Sequence, residues 1–242
     1  MNKQSNTYTI LYSAIMVIVV GAVLALVYGA LKPKQEENIK IDKMKQMLSA
    51  VRIVTESDDQ VIDTYNKYIP EAFIINVAGE PVSNDKDDAF AIDMAKEMKK
   101  PSSERMLPVY KFVGDDAQVR YIVPLSGAGL WGAIWGYVSI DANGSTLYGA
   151  YFSHASETPG LGAEIEKPDF QEQFQDKILF KDGEFKPVEV MKAGQKPTNG
   201  ADYVDAISGG TITSKGVQSM LNDCLTDYTA FLKNLSNDNS KE

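Results

Sequence analysis

The stretch "DAISGGTITS", Asp205 to Ser214, gathers hydroxyl side chains around two adjacent glycines. It stands directly ahead of "GVQSMLNDCLTDYTAFLKNL", where Val217, Met220, Leu221, Cys224, Leu225, Tyr228, Phe231, Leu232 and Leu235 fall on one apolar stripe. Such a stripe predicts a closing amphipathic helix with a core to cover. Gly209 and Gly210 permit a sharp turn into it. Thr213 or Ser214 is placed to cap it by accepting from the first free amides. Those amides and the helix dipole favour an anion in front of them, so a phosphate near Thr211 would be stabilised. An ordinary cap accounts for Thr213 but leaves Ser208 and Thr211 without a structural task.

Upstream, the chain is strand-rich. "LPVYKFVG", "AQVRYIVPL", "AIWGYVSID" and "STLYGAYFSHA" are short apolar or alternating runs broken by Gly, Asp and Asn, the pattern of an antiparallel sheet. "EAFIINVAGEPV" reads as a strand and turn punctuated by Gly79 and Pro81. In "SNDKDDAFAIDMAKEMKKPSSE", Ser83 or Asn84 is the expected cap of a helix ending before Pro101. "KPDFQEQFQDKIL" reads as a short helix, and "FKDGEF" as a hairpin with Asp182-Gly183 at its tip.

The N-terminal end has a different character. From Thr9 to Leu31, "TILYSAIMVIVVGAVLALVYGAL" contains no charged residue, and the run is long enough to span a bilayer as a helix. A cleavable signal would carry small residues at the cut, whereas Tyr28 holds the critical position before Ala30, so an uncleaved single-pass anchor is expected. Tyr8, Tyr12 and Tyr28 lie near its ends, where amphipathic rings favour the interface. Beyond Pro33, Ile39, Met44, Met47, Leu48 and Val51 fall at helical spacing and predict an amphipathic helix. The fold class is therefore α+β: a single N-terminal transmembrane helix (residues 1–32) followed by one mixed antiparallel-sheet domain (residues 33–242).

Composition narrows the function. A net charge of -9 in 242 residues gives no basic excess to neutralise phosphates, which argues against nucleic acid. One cysteine, Cys224, excludes an internal disulfide, and its place in the stripe makes it a buried small hydrophobe. One histidine, His154, rules out a multi-histidine zinc site and limits any Ser/His/Asp triad to its surroundings. No nucleophile-elbow pattern surrounds Ser153 or Ser156, which makes a hydrolase a poor reading. No catalytic or metal-ligating residue is expected.

Two more glycine-containing segments stand out. "SGAGLWGAIWGYV" sets Trp131 and Trp135 among glycines, either as a tight turn with core aromatics or as a place where a ligand comes close. "HASETPGLGAEI" is a polar loop after a strand, a binding loop or a plain connector. It lacks the spacing of a dinucleotide fingerprint.

Taken together, the three segments resemble one family. "DAISGGT" resembles the flavin-attachment motif Asp-x-x-Ser/Thr-Gly-Ala-Thr, and "ETPGLG" and "GLW" match the same family in the same order. This is the FMN-binding domain family shared by the C subunit of the sodium-translocating NADH:quinone oxidoreductase and the G subunit of the related Rnf complex. The resemblance covers nearly the whole chain, anchor included. Gly210 departs from it by standing where alanine is usual.

What the resemblance implies is specific. Thr211 would carry FMN covalently through a phosphoester. Trp131, Glu157, Thr158, Gly160, Leu161, Gly162, Ser208, Gly209, Gly210, Ile212 and Thr213 would line or hold the flavin. Asp205 and Ser208 would be read by a flavin transferase that takes FMN from FAD. The chain would relay single electrons within a membrane redox pump, beside subunits A, B, D, E and F. The insert "FAIDMAKEMKKPSSERMLPVYKF" favours the quinone reductase over the Rnf complex. An anchored, flavin-free binding or sensory domain is the reading from a different class.

Topology is contested. Lys3 flanks one end of the span and Lys32, Lys34, Lys40, Lys43 and Lys45 the other, which by charge alone places the domain in the cytoplasm. The family implies the outer, periplasmic face of a bacterial inner membrane, and that placement is the expectation.

Overall fold

The computed structural model describes residues 6–239, so Lys3 lies outside the described residues. The chain divides into two compact units, Met1–Lys43 and Met44–Glu242. Helix α1, which runs Asn6–Ala50 and is long and apolar enough to cross a membrane, makes up most of the first unit, and its last turns, from Met44 on, belong to the second. Pro33 lies inside α1, so the amphipathic segment expected after it is not a separate helix. A proline there costs one hydrogen bond to the carbonyl four residues back, at the exposed Gly29, and the helix tolerates the loss.

The second unit is organised by an antiparallel sheet of six strands in the order β2-β1-β3-β4-β5-β6. They are β1 (Glu71–Ile75), β2 (Pro81–Ser83), β3 (Leu107–Val113), β4 (Val119–Ala128), β5 (Ala133–Asp141) and β6 (Leu147–His154). The four strand-like runs of the middle are β3 to β6. Both faces of this sheet are covered, although antiparallel sheets often leave one face wet. Along β5, Ile134, Val138 and Ile140 join the core cluster that includes Val217, Leu221 and Cys224 of helix α6 (Thr211–Asp227). Residues of the other parity meet the end of α1. There Ser139 Oγ donates to the Ala50 carbonyl at 2.6 Å, and Trp135 Nε1 donates to Gln46 Oε1 at 3.1 Å. Burial on both faces explains why β5 reads as a nearly continuous apolar run rather than a clean alternation.

Several local details differ from expectation. Helix α2 (Asp58–Tyr68) was not anticipated, because among its eleven residues only Val61 and Tyr65 are buried and no apolar stripe stands out. The segment before Pro101 forms two short helices, α3 (Lys86–Ala91) and α4 (Met94–Glu97), rather than one. Neither Ser83 nor Asn84 caps the first of these; the Asp85 carboxylate accepts from the amides of Asp87 and Asp88. After β6 come a 3-10 turn (Gly162–Glu166) and the single-turn helix α5 (Pro168–Gln171). The hairpin of β7 (Phe180–Lys181) and β8 (Glu184–Phe185) turns at Asp182 and Gly183 as expected, both with positive φ. A small parallel pair, β9 (Glu189–Met191) with β10 (Tyr203–Asp205), delivers the chain to α6. The closing stripe is divided at Tyr228, so α6 is followed by a separate helix, α7 (Thr229–Asn239).

Candidate functional site

Strand β10 ends at Asp205, and the Ala206 amide donates to the Met191 carbonyl at 2.6 Å, tying the coming turn to β9. The chain then reverses over Ile207 to Gly210, with Gly210 N–H bonded to the Ile207 carbonyl at 3.0 Å and Gly209 at φ +76°. That left-handed conformation is the one in which glycine is favoured. Helix α6 starts at once: Gly210 is its N-cap, with no side-chain cap, and Thr211 is the first helical residue.

Thr213 and Ser214 are therefore not the caps expected of them. Both are buried, within the first turn. Ser214 Oγ reaches back to accept from the Ile207 amide at 3.1 Å, and Thr213 Oγ1 donates to Glu157 Oε2 at 2.5 Å. The cap falls to a residue without a side chain, which leaves the first turn open. Among the described residues, the amides of Thr211, Ile212 and Thr213 find no acceptor, and the first turn holds no acidic residue. Backbone donors and the helix dipole thus converge on the space in front of Thr211.

Thr211 itself is exposed, and its hydroxyl makes no hydrogen bond among the described residues. Ser208 is exposed as well. The carboxylate of Asp205 also faces outward unbonded, while the Asp205 amide donates to Gln173 Oε1 at 2.7 Å.

Three segments meet beside the turn. The β4–β5 turn is closed by Gly129 N–H on the Gly132 carbonyl at 2.8 Å. The loop after β6 is folded by the amides of Leu161 and Ala163 on the Thr158 carbonyl, both at 3.1 Å, with Gly160 at φ +76°. Glu157 joins these two segments to α6: Oε1 accepts from the Trp131 amide at 2.8 Å, and Oε2 takes the Thr213 hydroxyl. The residue is only 5 % exposed. Burial opposes its ionisation, but the bonds from Thr213, Trp131 and Leu130 and the nearby His154 outweigh that and lower its pKa.

Between the segments lies a cleft of about 240 Å³ that includes Trp131, Glu157, Thr158, Gly162, Thr211 and Thr213. Leu130, Trp131, Leu161 and Ile212 stand on it with 47 %, 66 %, 42 % and 57 % of their surface exposed, an apolar rim around a polar floor. On the other flank of Thr211 a cavity of about 570 Å³ is lined by Val190, Met191, Ile207, Lys192 and Lys215. A larger space of about 660 Å³ lies between the end of β4 and α6 and reaches none of the motif hydroxyls at Ser208, Thr211 and Thr213. The two lysines were not anticipated, although Lys215 stands one helical turn beyond Thr211.

Most of the expected flavin-binding residues thus share one cleft with Thr211, but Gly160 lies off it and Ser208 lines the adjoining cavity instead. The hydrolase reading loses its geometry. Ser153 Oγ donates to Glu166 Oε1 at 2.5 Å, Ser156 Oγ to the Trp131 carbonyl, and His154 Nδ1 accepts from the Glu157 amide. Neither serine is hydrogen-bonded to the imidazole. Cys224 is fully buried, its thiol pushed up to about 12 by desolvation, and is no nucleophile at neutral pH.

An exposed hydroxyl at an uncapped helix start, beside an apolar-rimmed cleft, suits a phosphorylated ring cofactor. Residues 129–226, from the β4–β5 turn to near the end of α6, match the FMN-binding domain family. That is the class of domain defined by this fold and site.

Similarity extends beyond the domain. The C subunit of the Na(+)-translocating NADH-quinone reductase of Yersinia pestis is 30% identical over 96% of this chain and 94% of its own length. Its Neisseria meningitidis (strain Z2491) counterpart is 35% identical over 84% and 81%. The crystal structure of the C subunit from Parabacteroides distasonis has a TM-score of 0.77 at 47% identity, covering 84% of this chain and 96% of that one. Shewanella oneidensis NqrC gives 0.68 at 26%, covering 83% and 99%. The chain belongs to the family formed by the C subunit of the Na(+)-translocating NADH-quinone reductase, an oxidoreductase complex.

Proposed function

We propose that this chain is the electron-relay subunit of a membrane Na(+)-pumping NADH:quinone oxidoreductase, with FMN held covalently as a phosphoester of Thr211. The observation that carries the reading is the contrast within the first turn of α6. Thr211 offers an exposed, unbonded hydroxyl, whereas that of Thr213 is buried and given to Glu157. Bound FMN would supply reversible one-electron redox chemistry that no side chain of this protein has.

The residues divide the remaining work. Thr211 Oγ is the attachment point, and the free amides of Thr211, Ile212 and Thr213 stabilise a phosphate in front of the helix. Lys192 and Lys215, on the adjoining cavity, add positive charge. Trp131, Leu161 and Ile212 give the ring an apolar wall with Thr158 beside it, and Gly209 and Gly210 let the backbone come close. Among the described residues, no carboxylate or imidazole is hydrogen-bonded to Thr211. This supports attachment by a separate flavin transferase reading Asp205 and Ser208. Such a transfer would exchange the Thr211 Oγ–H bond for Oγ–P and cleave the phosphoanhydride of FAD, with AMP and the hydroxyl proton as leaving groups.

The similar proteins from Yersinia, Neisseria and Parabacteroides all bear the name of the C subunit, which favours the quinone reductase over the Rnf complex. Its partners are then subunits A, B, D, E and F, with the domain on the outer face. Co-expression with the flavin transferase should yield protein that stays yellow after acid precipitation, heavier by one FMN less one water. Colourless protein of unmodified mass overturns the proposal.

A further inference from the structure

Glu157 was expected to line the flavin; it stands on the cleft with both carboxylate oxygens engaged by the protein. Oε1 accepts from the Trp131 amide and Oε2 from the Thr213 hydroxyl, so the acid joins the β4–β5 turn to the first turn of α6. Close backbone approach makes this possible. A side chain at Gly129 or Gly162 would run into the Glu157 carboxylate from either side. The Glu157 amide is tied in turn to His154 Nδ1 at 3.1 Å, which fixes the residue from behind. Full use of both oxygens, with the side chain buried, leaves an anion that cannot swing away. The titratable group whose charge bears on it is His154, which has Glu166 Oε2 at 3.8 Å from its Nε2. Neither of these donates to the Glu157 carboxylate.

From this geometry we infer that Glu157 is a positioning residue with an electrostatic role. It clamps the Trp131 turn to the start of α6, and its fixed negative charge at the cleft floor lowers the reduction potential of FMN seated there. The inference rests on the FMN reading above. A fixed anion disfavours adding an electron nearby, and the effect is strongest where water is excluded. Both carboxylate oxygens are engaged by the protein, so the residue acts on the flavin through its charge at the cleft floor.

The test uses full-length protein co-expressed with the flavin transferase, as wild type, Glu157→Gln and Thr213→Ser, with attachment checked by intact mass. Potentiometric titration should place the Gln variant at a higher midpoint than wild type. Thr213→Ser, which keeps both hydroxyl and charge, should stay at the wild-type value. A loaded Gln variant at the wild-type potential overturns the electrostatic role. The clamp is tested without flavin by Trp131 fluorescence in a Trp135→Phe background. Glu157→Gln should shift the emission and Thr213→Ser should not; unchanged emission in the Gln variant overturns the clamp. Wild-type protein that gains no flavin mass would mark failure of the proposed function, while the fluorescence arm still decides the clamp.

Discussion

Thr211 and Thr213 stand two residues apart in the first turn of α6, yet one hydroxyl is open to solvent and the other is 1% exposed and bonded to Glu157 at 2.5 Å. Helical geometry turns residues two apart toward different sides. The same residue type therefore has two unrelated tasks within one turn, and substitution should separate them. Thr211→Val should abolish the gain of FMN mass with stability changed by less than about 0.5 kcal/mol, as for other surface changes. Thr213→Val leaves Glu157 Oε2 without its donor and should cost about 1–3 kcal/mol. Intact mass and denaturant melts of both variants check this, with Thr213→Ser as the control that keeps the hydroxyl. Flavin on Thr211→Val would mean that another residue is the acceptor.

The carboxylate of Asp205 is exposed and bonds to nothing among the described residues, so no structural task competes with its proposed recognition by the transferase. Asp205→Ala should lower flavin loading while the melting temperature of the unloaded domain stays put. A large drop in that temperature would assign Asp205 to the fold and remove the support for recognition.

The two glycines of the turn should not be equivalent. Gly209 has φ +76°, and a Cβ there would also stand 2.6 Å from Leu161 Cδ2. Gly210 has φ -102°, which any residue can adopt, and its Cβ would meet Ile207 Cγ2 at 3.0 Å and the Leu161 carbonyl carbon at 3.2 Å. Gly209→Ala should therefore cost about 1–3 kcal/mol from backbone strain. At Gly210, the family's alanine should cost less, because a stiffer unfolded chain offsets part of the tight contact by about 0.4–1 kcal/mol. Thermal melts of the pair decide; equal losses would place the strain elsewhere.

These contrasts mark where sequence reading succeeds. β3 to β6 could be read because each is long, apolar and bounded by turn residues. The pairing of Thr211 with the two glycines stood out because no ordinary cap accounts for it. The actual cap did not, since Gly210 holds that position without a side chain while Thr213 and Ser214 are the better capping types. The role of Glu157 was hidden because its bonds reach 26 residues back to Trp131 and 56 forward to Thr213, separations no local pattern records. Strands β9 and β10, three residues each, are too short to show alternation.

Acid should loosen the same clamp. The pKa of Glu157 is lowered in the folded state, so the stability it adds is present above the ordinary glutamate range and is lost as the pH falls through the lowered value. Urea melts of unloaded protein should show wild type losing its margin over Glu157→Gln as the pH drops below about 4, near the unperturbed glutamate value. A margin that stays constant down to about pH 3 would mean that the charge contributes nothing to folding.

The orientation of the domain sets two physical arguments against each other. Lysines at positions 32, 34, 40, 43 and 45 follow the apolar span closely, and positive flanks tend to stay in the cytoplasm. That tendency is a bias on insertion, and a multi-subunit complex can hold a helix against it. The proposed electron relay would have the flavin domain meet its partners on one face, which the family resemblance implies is the outer one. A lone buried cysteine poses no disulfide hazard in an oxidising compartment. Alkaline phosphatase fused after Glu242 should therefore be active in cells, and a fluorescent protein that matures only in the cytoplasm should stay dark at the same junction. A bright fluorescent fusion beside an inactive phosphatase would put the domain inside, and the lysines would then have set the topology.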